Sequence, residues 1–113
     1  MQERILYIRF FDGVEIDFPD VKEIYDKGIA LAGWQPYCAL ADVRNSPSST
    51  PESRAFGASQ GYSTYRLADA ILTSSLGMKI IVNSYIRFNK PKVPTRMFRT
   101  EKEAVMWLKT FLK

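Results

Sequence analysis

Pro36-Tyr37-Cys38-Ala39-Leu40-Ala41-Asp42 is the stretch whose reading decides the fold. A strand with one wet face alternates apolar and polar residues. This run stays apolar until its closing carboxylate. That pattern fits a strand covered on both faces, as in a parallel sheet packed between helices.

The flanking segments agree. Gly33, just upstream, stops a helix in the manner of a C-terminal glycine. Asp17 caps that helix, with Pro19 and Asp20 in its first turn, and Val21, Ile24, Tyr25, Gly28 and Ala32 fall on one stripe. Before it, Ile5 to Phe11 reads as a strand ended by Asp12-Gly13, and those two residues suit a hairpin into Val14-Glu15-Ile16. Downstream, Arg44 to Thr50 is a polar loop. Thr50-Pro51 opens a second helix, or Ser49 caps it with Glu52 closing a capping box; Gly57 and Gly61 interrupt it.

Leu67 to Thr73 is a further buried strand, with Asp69 near its start. Ser74-Ser75 cap a third helix, along which Ile80 or Ile81, Ser84 or Tyr85, and Phe88 recur at helical spacing. Pro91 and Pro94 bracket a loop, and Thr95 to Arg99 is a short strand. Thr100-Glu101-Lys102-Glu103 is a capping box for a last helix carrying Ala104, Leu108, Phe111 and Leu112. Strand and helix thus alternate four times. The fold class is α/β, a mainly parallel sheet with helices on both faces, in one domain spanning residues 1–113.

Composition removes several chemistries. The 113 residues include no histidine, which excludes Ser-His-Asp and Cys-His catalysis and histidine metal ligation. The one cysteine, Cys38, sits inside the apolar run and reads as a small core residue, so neither an internal disulfide nor a cysteine zinc site is expected. No phosphate-cradling glycine loop and no Gly-x-Ser-x-Gly elbow occurs. No apolar run is long enough to cross a bilayer, and Met1-Gln2-Glu3-Arg4 enters a strand without a signal-peptide pattern, so the cytoplasm is the expected compartment.

The formal charge is +4, and from Lys79 to Lys113 nine basic residues face only Glu101 and Glu103. The aromatics of that region keep core spacing, so this reads as a solvated basic face and nucleic acid is not expected as partner. Asp12, Glu15, Asp17 and Asp20 form an acidic cluster without calcium-loop spacing. They read as a solvated loop and helix start, and neither a metal nor another cofactor is expected.

Ala70-Ile71-Leu72-Thr73-Ser74-Ser75, Asn83, Phe88 through Phe98 (Phe-Asn-Lys-Pro-Lys-Val-Pro-Thr-Arg-Met-Phe), and Glu103-Ala104-Val105-Met106-Trp107-Leu108 together resemble a bacterial family. Asp42 and Glu52-Ser53-Arg54 fit the same pattern. The family is the SpoIIAA-like (STAS/SEC14-type) group, much of it uncharacterised. The resemblance implies a four- to five-stranded sheet and, for the four strands read here, the order 2-1-3-4. Relatives carry one more strand ahead of the position of Ile5, so an uncovered edge here would favour a homodimer by strand pairing.

Open parallel sheets place ligands beyond the carboxyl ends of their strands. The loops there carry Arg44, Ser48, Ser49, Thr50, Ser74 and Ser75, side chains that suit an anion at a helix N-terminus and equally suit helix capping. In the anti-sigma-factor antagonists of the STAS group a serine at the start of the second helix is phosphorylated. The resemblance makes Ser48, Ser49 or Thr50 the corresponding phospho-acceptor, although the Asp-Ser sequence of those proteins is absent here. The expected function is a non-catalytic regulatory module that binds an unidentified protein partner. The alternative is a small-molecule or lipid carrier with the helix from Leu76 to Phe88 as a moving wall. A small enzyme working without histidine or cysteine chemistry comes third.

Overall fold

The computed structural model describes residues 1–59 and 65–113. Four strands, β1 (Ile5–Arg9), β3 (Tyr37–Asp42), β5 (Arg66–Leu72) and β6 (Thr95–Phe98), form one parallel sheet in that spatial order. Two short strands, β2 (Glu15–Ile16) and β4 (Ser48–Ser49), pair parallel with each other beside it. The helices are α1 (Phe18–Leu31), α2 (Pro51–Ala58), α3 (Leu76–Ser84), which runs on into a π-helical turn Tyr85–Asn89, and α4 (Glu101–Lys109).

The starts of these helices follow the local chemistry of the sequence. Asp17 caps α1 and forms a full capping box with Asp20, Thr50 caps α2 ahead of Pro51, Ser75 caps α3 and Thr100 caps α4. Gly33 takes φ +66° where α1 ends, a conformation that glycine adopts at little cost.

The order of the main strands is sequential, not the 2-1-3-4 expected from the resemblance. Burial explains it. Tyr37–Asp42 is covered almost throughout and therefore takes an interior place with a partner on each side, whereas Ile5–Arg9 exposes its second half and stays at the edge. Sequential order also fixes the layers. Three right-handed crossovers stepping the same way put α1, α2 and α3 on one face. The chain then folds α4 under the other.

Alternate residues of each strand serve the two layers. Ile5, Cys38, Leu40, Ala68, Ala70 and Leu72 pack on Ala104 and Leu108 of α4. Leu6 and Tyr37 pack on Ile29 and Ala32 at the end of α1, and Val43 packs on Met78 and Val82 of α3.

Two local readings change. Val14-Glu15-Ile16 does not return along β1 as a hairpin; Glu15 pairs with Ser48 and Ile16 with Ser49. Gly13 (φ +73°) turns the chain, and Glu15 and Ile16 find partners in the segment after β3, which the parallel topology brings alongside. In α3 the buried stripe is Met78 and Val82, while Ile80 and Phe88 are 59% and 74% exposed. The capping of α3 by Ser75 sets this phase, which turns Ile80 and Phe88 of the expected stripe outward while Tyr85 stays half-buried. Gly61 lies outside the described residues.

Candidate functional site: a chamber under the helices

The central strand carries Leu40 on its α4 face, whereas on the face under α1–α3 the bulky Tyr37 is followed only by Ala39 and Ala41. Helix α2, which lies over that region, contributes the small side of Ser53 and Gly57. Small residues on both walls leave a chamber of about 200 Å³ between sheet and helices. Ile8 and Ile71 form its floor with the two alanines, Val21 and Ile24 come from α1, and Met78, Val82 and Tyr85 come from α3 and the π-helical turn. The lining is mostly hydrocarbon. Alanine in the middle of a covered strand is a residue too small for its place, and Ala41 accordingly keeps part of its surface accessible although helices cover the sheet.

One end of the chamber is polar. Between Tyr37 and Ala39 of β3 the pairing with β5 shifts, so two residues of β3 face three of β5. In a regular strand, residues three apart point to opposite faces. The extra residue brings Arg66 and Asp69 to the same face, where Nε and Oδ1 stand 3.3 Å apart. The Arg66 guanidinium also lies 4.0 Å above the centre of the Tyr25 ring. Arg66 keeps 7% of its side-chain surface and Asp69 17%. Despite their approach, Arg66 Nε and Asp69 Oδ1 make no hydrogen bond among the described residues. Burial pushes the Asp69 carboxyl pKa up, with the Arg66 charge acting the other way.

The other end opens toward the carboxyl-terminal rim of the sheet. There a cleft of about 480 Å³ lies between the segment 47–49 and the outer side of α3. Pro47, Ser49, Arg54, Ile81 and Tyr85 border both spaces. Arg54 Nη1 donates to the Ser49 carbonyl at 2.7 Å and to Ser49 Oγ at 2.9 Å, so it ties the segment before α2 to the helix.

A family model described as a domain of unknown function, DUF7793, matches residues 1–112. The chain belongs to the DUF7793 family. An uncharacterised protein from Shewanella loihica PV-4, of the DUF3478 family and with a SpoIIAA-like fold, superposes with a TM-score of 0.57 at 17% identity, covering 85% of this chain and 79% of its own. The DUF7793 domain therefore has the SpoIIAA-like fold that its C-terminal third resembles. A protein of unknown function from Arthrobacter sp. FB24 is 23% identical, with 96% of this chain and 95% of that one covered and a TM-score of 0.35. No curated protein matches the sequence.

In the DUF7793 domain the six residues read as an anion or phospho-acceptor site all lie at the carboxyl-terminal rim, after β3 and after β5. They do not converge as one cradle. Arg44 is folded back on Asp42, donating from Nε to Oδ1 (2.9 Å) and from Nη2 to Oδ2 (2.7 Å). Asp42 belongs to the α4 side of the sheet, where Arg9 also approaches it at 3.6 Å, so the charge of Arg44 is matched there. Its carboxyl pKa is lowered, first by the hydrogen bond from Arg44. Arg54, not Arg44, is the cation beside Ser49.

Thr50 Oγ1 accepts from Ser53 N (3.1 Å) and donates to Asp17 Oδ1 (2.9 Å), which joins the starts of α1 and α2. A phosphate on Thr50 would face the Asp17 carboxylate and lose both bonds. Ser48 and Ser74 are exposed, and Ser75 Oγ accepts from Met78 N as a cap.

Sequence reading missed the chamber residues Arg54, Arg66 and Asp69. Two signals stood in the sequence: alternating alanines in the covered strand, and a charged pair at the head of an apolar one. Among the described residues no helix is long and apolar enough to cross a membrane, and no cluster of three metal-ligating side chains occurs.

Proposed function

We propose that this domain is a non-catalytic ligand-binding module that holds a small, mainly apolar molecule in the chamber under α1–α3. The observation that carries the reading is the cavity itself, lined by hydrocarbon and kept open by Ala39, Ala41, Ser53 and Gly57. Cavities of this kind are costly. Because the chamber opens at the rim, its hydrocarbon lining stays wet, and apolar surface left in water forgoes about 25 cal/mol per Å². The net stability of a small domain is about 5–15 kcal/mol. A ligand returns the missing contacts and stabilises the fold by mass action.

The chemistry of the site fits holding better than turnover. The Cys38 thiol is buried on the opposite side of the sheet, with its pKa pushed up to about 11 by burial. Arg66 and Asp69 are matched to each other, and Arg54 is held by Ser49.

Titration of the protein with toluene, followed by ¹H–¹⁵N NMR, tests the proposal. Shifts should concentrate at Ala39, Ala41, Ile71, Val82 and Tyr85 and be lost in Ala41→Ile. Shifts that are absent, or that persist unchanged in the variant, would refute it.

A regulatory, protein-binding role is the second reading. It is favoured by Leu76, Ile80 and Phe88, apolar side chains that α3 and the π-helical turn turn outward. Replacing Ile80 and Phe88 with Glu should then abolish co-purification of a partner protein and leave toluene binding intact.

A further inference from the structure

We infer that the chamber's ligand is an amphiphilic monocarboxylate, whose apolar body of about eight carbons fills the space toward Ala41 and Val82 while its carboxylate sits at the rim on Arg54. The inference rests on the chamber being a ligand site and adds which chemistry it selects.

Three observations lead to it. The first is where Arg54 stands. It is half-buried and lines both the chamber and the rim cleft, where the hydrocarbon walls give way to polar ones. A molecule seated in the chamber with one end toward the rim brings that end to the guanidinium. Among the described residues the hydrogen bonds of Arg54 leave from Nη1 alone and end on two neutral oxygens of Ser49. A guanidinium is a planar fork of five N–H donors, so the Nε and Nη2 edge keeps the pair of donors that a carboxylate takes.

The second observation is charge. No carboxylate pairs with Arg54 among the described residues. None of the cleft's lining residues is acidic, and Asp69, the acid in the chamber wall, is committed to Arg66. Helix α3 and its π-helical turn, which border the cleft, add Lys79 and Arg87 and no acid. One cation matches one negative charge, whereas a phosphate monoester would bring nearly two. The third is size. Apolar protein cavities of about 150 Å³ take up the six carbons of benzene, so at the same ratio about 200 Å³ suits about eight.

The test compares octanoate, octanol, octylamine and octyl phosphate as probes, by ¹H–¹⁵N NMR titration of the whole chain at pH 7. Octanoate should bind about tenfold more tightly than octanol, the worth of a hydrogen bond to a charged group, and octylamine should bind weakest. Octanoate should also move the Arg54 Nε–H resonance, which octanol should leave in place; this reads the contact in the natural protein without any substitution. In Arg54→Met, octanol should bind as before and octanoate should lose its advantage. Equal binding of octanoate and octanol, an unmoved Nε–H resonance, or an advantage that survives Arg54→Met would overturn the inference while leaving the ligand-binding reading intact. Tighter binding of octylamine or of octyl phosphate would overturn it in favour of a cationic or a doubly charged head group. Binding of none of the four would overturn it as well, and silence toward toluene besides would remove the ligand-binding reading with it.

Discussion

Ala41→Ile is the most informative single substitution. Ala41 lies in the central strand, in register with Ile8 on one side and Ile71 on the other, and its side chain borders the chamber. Isoleucine adds three carbons. At about 0.8 kcal/mol per buried methylene the gain is about 2.4 kcal/mol, and fixing the side chain returns about 0.5–1 kcal/mol. The β-branched residue also suits a strand. The net expectation is a stabilisation of about 1.5–2 kcal/mol, which for a chain of this size raises the melting temperature by roughly 6–10 °C. Ala68→Ile serves as control. Ala68 is fully buried in the same sheet but points to the packed α4 face, so the same three carbons should cost about 1–3 kcal/mol there. Urea unfolding followed by circular dichroism reads both, and an unchanged m-value shows that the unfolded state has not shifted. If Ala41→Ile destabilises as much as Ala68→Ile, the space beneath α1–α3 does not exist in solution, and the argument built on it fails.

Two glycines give opposite outcomes for the same change. A Cβ on Gly57 would meet Tyr85 Oη at 3.5 Å and Val21 Cγ1 at 3.9 Å, ordinary contacts, so Gly57→Ala should stabilise α2 by about 0.5–1 kcal/mol in thermal unfolding. On Gly28 the same atom would lie 2.9 Å from both Leu6 Cδ2 and Tyr37 Oη, and Gly28→Ala should destabilise by about 1–3 kcal/mol. For pH, the Asp42 carboxyl pKa is lowered in the folded state, so its contribution is complete above the unfolded carboxylate value of about 3.9 and is lost as pH falls through the folded one. Asp69 has the opposite sign, because its raised pKa makes the folded state hold its proton longer, and stability declines as pH rises from about 3.9 through the folded value. Unfolding midpoints between pH 3 and 7 should therefore fall less steeply on the acid side in Asp42→Asn than in the natural protein.

The elements were legible in the sequence because each has a local cause. The covered strand announced itself by lacking polar positions, and capping by Asp17, Thr50, Ser75 and Thr100 is chemistry confined to a few consecutive residues. Strand order was not legible in this way, since it depends on which strand needs a partner on each side. The continuous apolar character of Tyr37–Asp42 was the available clue: a strand so covered belongs inside the sheet, and the edge is left to Ile5–Arg9. Arg44 shows the same limit from the other direction. Its position in a rim loop suggested an anion site, but Asp42, two residues earlier, holds it through two hydrogen bonds.

The chamber was hidden for a deeper reason. Two-residue periodicity assigns Arg66 and Asp69 to opposite faces, which reads as one solvated charge and one misplaced one. Only the extra residue in β5 turns both toward the helices, and a bulge of that kind is decided between strands, not within one. The alanines point the same way. Ala39 and Ala41 look like unremarkable core residues until helix α2 sets Ser53 and Gly57 over that region, at which point smallness on both walls becomes a void. Each feature alone is ordinary. Their coincidence over a buried, incompletely bonded ion pair is what a packed core would have removed, because filling the space with one larger aliphatic side chain is a single substitution away. That the chain keeps small residues on both walls and a charged pair at the end is the physical case for a site that holds something.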